Sequence, residues 1–121
     1  MANNGSLVIG DNFNMTGNST IICENYIIIG DNCLFSWEDL VMDTDYHCIV
    51  ENGIKKNITA SIEIEDHVWV GCRATILKGT RISRDSVIAA GSIVSNTFKE
   101  SNSILGGIPA KIMKKGINWE K

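Results

Sequence analysis

Isoleucine or valine stands at Ile64, Val70, Ile76, Ile82, Ile88 and Val94, six times in succession at a spacing of six. Four positions after each come Val68, Ala74, Thr80, Ser86, Ser92 and Phe98, most of them small. An even period keeps the branched residues on one side of an extended chain, whereas a period of 3.6 would scatter them round a helix. The pattern predicts a solenoid of short strands. Three hexads make a triangular coil, and coils stack about 4.8 Å apart through parallel backbone hydrogen bonds, with the branched side chains filling a narrow core. The rhythm is weaker upstream, at Ile9, Met15 and Ile21, then after a two-residue slip at Ile29, Phe35 and Val41, so that about four coils are expected. Between Val41 and Ile64 it is lost, which predicts an excursion loop over about 43–62. After Val94 the chain is expected to leave the repeat for a short tail over about 99–121, where Gly106, Gly107 and Pro109 mark a turn. The whole, 1–121, reads as one all-β domain.

Composition narrows the function. Of the 121 residues 44% are hydrophobic and 21% charged, in the ordinary globular range, and net charge is −3 with the eleven Lys and Arg mostly dispersed. The broad basic surface that neutralising a nucleic-acid backbone requires is missing. Apolar runs such as "YIIIG" are far shorter than the roughly 20 residues needed to span a bilayer, and "MANNGSLVIG" lacks the regions of a signal peptide, so membrane insertion is not expected and the protein reads as cytoplasmic. Cys23, Cys33, Cys48 and Cys72 show no CxxC spacing; with only two histidines there is no zinc pattern, and the cysteines read as reduced thiols.

The stretches "IEIEDHVWVGCRATILKGTRI", "SVIAAGSIV" and "GGIPAK" resemble the hexapeptide-repeat acyltransferases, and more narrowly the sugar O-acetyltransferases of the maltose and galactoside type. The resemblance covers nearly the whole chain. It implies a left-handed parallel β-helix, a hand that periodicity alone does not supply. It also implies a homotrimer in which acetyl-coenzyme A and a saccharide acceptor meet between neighbouring solenoids. A slim solenoid gains stability by covering its sides with another subunit, which fits such an assembly.

Under this resemblance His47, in "VMDTDYHCIV", is the catalytic histidine. Acetyl transfer from a thioester to a hydroxyl needs a base for the hydroxyl proton, and a neutral imidazole suits it. Asp43 or Asp45 could accept the other ring N–H. Cys48 is a poor partner for a Cys–His pair, because neighbours in an extended segment point to opposite faces. His67 stands where the family usually carries Asn and reads as a solvated corner residue. On the coenzyme side the resemblance implies Trp69 beside the groove, Gly71 permitting close approach, the backbone N–H of Cys72 near the thioester and Ala90 along the pantetheine arm. Each of these also has a pure packing reading. Lys111 and Lys114 correspond to phosphate-holding residues, and their spacing of three can put both on one side of a helical turn. Ser95 and Asn96, at cofactor-binding positions, replace a frequent Thr-Lys pair, which removes one positive charge, so that coenzyme A affinity is expected to be lower or carried by Lys99. Thr16, in place of the usual Asn, and Glu24 correspond to acceptor contacts, and with the repeat beginning by about Leu7 the family's N-terminal helical extension is not expected.

The leading reading is thus an acetyl-coenzyme-A-dependent O-acetyltransferase acting on a saccharide or polysaccharide precursor, with no metal. Two alternatives remain: N-acetylation of an amino sugar, and a non-catalytic binding or assembly module. A hexapeptide carbonic anhydrase is disfavoured, since its zinc takes three histidines.

Overall fold

The computed structural model describes residues 5–121, an all-β chain wound into a parallel β-helix. The first coil comprises β1 (Ser6–Ile9), β2 (Asn14–Met15) and β3 (Thr20–Ile22), and the second β4 (Tyr26–Ile29), β5 (Leu34–Phe35) and β6 (Leu40–Met42). An excursion carries β7 (Val50–Glu51) and β8 (Ile54–Lys55) before the third coil, β9 (Ile62–Ile64), β10 (Trp69–Val70) and β11 (Thr75–Ile76). The fourth coil is β12 (Arg81–Ile82), β13 (Val87–Ile88) and β14 (Ile93–Val94). Strands at equal places in successive coils pair in parallel, giving the sheets β1-β4-β9-β12, β2-β5-β10-β13 and β3-β6-β11-β14. We call the turn from the first sheet to the second the first corner, that from second to third the second corner, and the return to the first the third corner.

The hexad residues are the core. Ile29, Phe35, Val41, Ile64, Val70, Ile76, Ile82, Ile88 and Val94 are all buried, and so are the small residues at Val68, Ala74, Thr80, Ser86 and Ser92. Smallness is demanded because each of these follows a sharp corner. At the first corner Asn12, Asn32, His67, Asp85 and Asn102 stack in one column, all with φ between 54° and 59°. Asn, Asp and His are the non-glycine residues that enter this left-handed region most readily. Aspartates then tie coil to coil. Asp31 and Asp66 each accept the N–H of the corner below, from Asp11 and Asp31, at 2.7 Å. Buried Asp43 accepts from Glu24 and Asn25 at 2.8 Å, and buried Asp39 from Ser36 at 3.0 Å and Ala74 at 2.9 Å.

Four expectations change. Ile9 and Met15 are partly exposed, because the inward side chains of coil one are covered on one side only. The chain does not leave the repeat after Val94: β15 (Thr97–Phe98) and β16 (Ser103–Gly107) pair in parallel with β12 and β13. Two residues lost between Val94 and Phe98 hide this coil from a strict six-residue count, yet Leu105 is buried in the core. The tail is a strand, not a helical turn: β17 (Ala110–Lys115) folds back antiparallel on β16 through the turn at Ile108 and Pro109. Its register shift pairs Lys111 with Gly106 and Lys114 with Ile104, so the two lysines share a face of the ribbon despite their odd spacing. Finally, His67 is not simply solvated. Its Nδ1 lies 2.8 Å from Asp85, and Trp119 stacks on its ring at 4.1 Å while donating its indole N–H to the His67 carbonyl at 2.9 Å.

Asp39 yields a stability prediction. Burial pushes its carboxyl up to about 6, outweighing the two N–H groups that favour its charge. Against an unfolded value near 3.9 the folded state holds the proton more tightly, so this group's contribution to stability is largest at low pH and is lost as pH rises through about 4 to 6. Asp39→Asn removes the titration. The stability difference, wild type minus variant, is expected to fall between about pH 4 and pH 7 in denaturant melts; a flat difference would show ordinary acidity at this carboxyl.

Candidate functional site

The residues singled out in the sequence fall on two different corners. Along the second corner, from coil two upward, Trp37, Trp69, Gly71, Cys72, Ala89 and Ala90 line a groove of about 300 Å³ with apolar walls. Trp69 is 38% exposed and anchored by its indole N–H, which donates to Ser36 Oγ at 3.1 Å. A Cβ on Gly71 would come within 2.7 Å of the Ile88 carbonyl and 2.8 Å of the Ala90 N. The next coil fills the space this glycine leaves, so stacking alone accounts for it. The Cys72 N–H takes no partner among the described residues, and Gly91 donates to the Cys72 carbonyl at 2.9 Å. One coil above Ala90 the β16–β17 turn crosses the same corner, and Lys111 pairs there with Gly106. Exposed Thr16 lies on this corner too, in coil one.

Three of the remaining residues, Glu24 and the Ser95–Asn96 pair, sit at the third corner, Glu24 beneath the excursion and Ser95–Asn96 above it. Between them the excursion leaves the solenoid as an antiparallel ribbon, not an irregular loop. Ala60 N–H donates to Asp43 O at 3.1 Å, Asp45 N–H to Ile58 O at 2.9 Å and Lys56 N–H to Ile49 O at 2.8 Å. At its tip Asn52 and Gly53 both have positive φ, 52° and 75°, the turn that Asn-Gly favours between hairpin strands. The "NGI" signal was present in the sequence and stands where the hexad pattern fails. His47 projects from the base of this ribbon, exposed, one residue after Tyr46 at φ 60°. Its ring has no hydrogen-bond partner among the described residues. Asp43 is committed to two backbone N–H groups, and Asp45 pairs with Lys78 at 3.0 Å, so neither carboxylate orients the imidazole. Lys99 lies elsewhere, in a groove of the first sheet with Arg81, Arg84 and Glu65, and does not replace the missing lysine.

Neither buried thiol, Cys23 or Cys33, is a nucleophile in this arrangement. Burial pushes Cys33 up to about 11, and burial followed by the nearby Asp43 charge raises Cys23, so both stay protonated at neutral pH. Trp37, 56% exposed beside the groove, and Trp119 carry no sequence signal beyond being tryptophans; only the coil stacking reveals their neighbours.

No family model matches the chain. It is 32% identical to the galactoside O-acetyltransferase of Escherichia coli over 110 residues, 88% of this chain and 53% of that protein. It superposes on the polySia-specific acetyltransferase NeuO with a TM-score of 0.90 and 29% identity, over 95% of this chain and 50% of that one. A hexapeptide-repeat-containing acetyltransferase from Vibrio cholerae, complexed with acetyl-coenzyme A, superposes with a TM-score of 0.77 and 27% identity, over 90% of this chain and 60% of that one. The chain thus spans about half the length of the curated relatives it matches. Hexad spacing, parallel stacking and these likenesses agree over nearly all of its length: the chain belongs to the hexapeptide-repeat acyltransferases and is a left-handed parallel β-helix.

Proposed function

We propose that the protein is an acetyl-coenzyme-A-dependent O-acetyltransferase acting on a saccharide hydroxyl, with His47 as general base, and that it works as a homotrimer. The observation that carries this reading is the groove up the second corner. Narrow and apolar, it fits an extended pantetheine arm, and Lys111 and Lys114 on the ribbon above it are the cations that would meet the phosphates. The relative complexed with acetyl-coenzyme A supports the same donor here.

The division of the site supports association between copies. His47 and the groove are on different corners, separated by one side of the triangle, about five extended residues or roughly 15 Å. The reacting atoms must approach to about 3–3.5 Å. A single chain therefore does not complete the site, whereas the His47 ribbon of one copy laid against the groove of the next does. Ile49, Val50 and Ile54 on that ribbon are 67%, 58% and 65% exposed, the surface such a contact would cover.

Within the assembled site His47 takes the acceptor proton as the hydroxyl oxygen attacks the acetyl carbonyl, and returns it to the departing thiolate. The free N–H of Cys72 faces the charge that develops on the carbonyl oxygen. Glu24, one coil beneath the ribbon, and Thr16 of the adjoining copy lie where an acceptor would be held.

Three outcomes test this. His47→Ala is expected to keep assembly and acetyl-coenzyme A affinity while turnover falls by about 10²–10⁴; full turnover in a folded variant removes the base. Lys111→Ala with Lys114→Ala should weaken coenzyme A binding about tenfold at low salt and less at high salt, by titration calorimetry. Unchanged low-salt affinity would rule the lysines out. The third is a mixing experiment. His47→Ala and the groove-blocking Ala90→Trp are each inactive alone, but co-expressed in equal amounts they should regain about a quarter of the wild-type sites, because one corner from each chain suffices. No recovery in verified mixed trimers would mean that one chain forms the whole site.

A further inference from the structure

The eleven basic residues are not dispersed along the solenoid axis: every one lies at Lys55 or beyond. Residues 5–54, which build coils one and two and the outgoing arm of the ribbon, contain Asp11, Glu24, Asp31, Glu38, Asp39, Asp43, Asp45 and Glu51 and no cation. The stack is therefore electrically polar, with the lysine-bearing β16–β17 ribbon at one pole and coils one and two at the other.

The cations that reach the acidic pole from above are already engaged. Lys78 pairs with Asp45 at 3.0 Å, Arg73 with Glu38 at 2.9 Å and Lys56 with Glu51 at 3.6 Å. Glu24 and Asp43, at the corner beneath His47, have no basic partner among the described residues. The second corner at the same level, which an adjoining copy would present to His47, offers Thr16, Gly17, Asn18 and Trp37, again with no free cation. Trp37 sits there for a reason visible in the packing. A Cβ on Gly17 would fall 2.2 Å from the Trp37 Cδ1, so the glycine lets the indole lie down over coil one, below Cys72 and away from the lysines. Its other face is open.

Resting on the acetyltransferase reading above, we infer that the acceptor is a saccharide bearing no carboxylate or phosphate at the acetylated unit, stacked on Trp37 of one copy and facing Glu24 and His47 of the next. An aromatic face packs against the C–H surface of a sugar ring, and unpaired carboxylates disfavour an anionic one. The inference separates this chain from the polySia-specific relative, whose named acceptor is an acidic polymer. Donor and acceptor then approach along one groove from opposite poles, each with the charge that its pole favours.

The test is steady-state kinetics of the intact oligomer at saturating acetyl-coenzyme A, with a series of matched neutral, amino and uronate disaccharides at low and high salt. Neutral and amino acceptors are expected to exceed the uronates in kcat/KM by about tenfold or more at low salt, the gap narrowing at high salt as screening sets in. Trp37→Ala should raise the acceptor KM about tenfold with the oligomer mass unchanged, and Trp37→Phe should recover most of the loss. Uronates acetylated as well as neutral sugars at low salt would overturn the charge argument. An unaltered acceptor KM in Trp37→Ala, or loss of the oligomer, would overturn the platform. Failure to bind acetyl-coenzyme A, or no thiol release with any acceptor, strikes the acetyltransferase reading itself and takes this inference with it.

Discussion

Everything in this molecule depends on the parallel backbone ladder between coils. Each strand of the coils is only two to five residues long, too short to stand alone, and is held because neighbouring coils place the same inward residue at the same height. That requirement fixes the coil length and forces a left-handed residue and then a small buried one at corner after corner. It also makes the backbone's hydrogen bonds at the corners a problem, which Asp31, Asp39, Asp43 and Asp66 solve by reaching one coil away with a carboxylate.

Such a ladder tolerates a change in length only where the chain turns, and the third corner absorbs most of them. Ile21 and Ile29 stand eight apart instead of six, Val41 and Ile64 enclose the whole ribbon, and Val94 and Phe98 stand only four apart. The other two corners stay nearly regular, so the second can carry a continuous groove across several coils. The same constraint thus produces both halves of the site: regular stacking builds the groove, and a tolerated insertion builds the arm that carries His47. On the reading proposed above, their placement on different corners makes association between copies a condition of chemistry and not an ornament of stability.

Burial and exposure divide the polar residues accordingly. Asp39 and Asp43, which help to hold the ladder together, are inside and fully partnered, whereas His47, Trp37 and Trp69 remain accessible. His67 shows how the two classes can be confused. It is a histidine in a conspicuous motif, but the left-handed corner, Asp85 and the stacked Trp119 account for it as a fastening for the end of the chain.

The sequence by itself determined the strand, the triangular coil and the inward residues, because a period of six is a one-dimensional signal that a local backbone requirement writes directly into the chain. It also marked Trp69, Cys72, Ala90 and His47, through the hexad segment and its interruption. It did not reveal the fifth coil, since a two-residue deletion and a one-residue addition break the count while the ladder still closes. Nor did it reveal the ribbon, where Asn52 and Gly53 signal a hairpin that periodicity of six cannot register. The two candidate aspartates near His47 were equally open on paper. Only the stacking of coils, through hydrogen bonds between residues 18 or 19 positions apart, shows Asp43 already committed to the backbone of Glu24 and Asn25. The separation of His47 from the groove was likewise beyond the sequence, because a corner is a position in three dimensions, fixed by how the coils close.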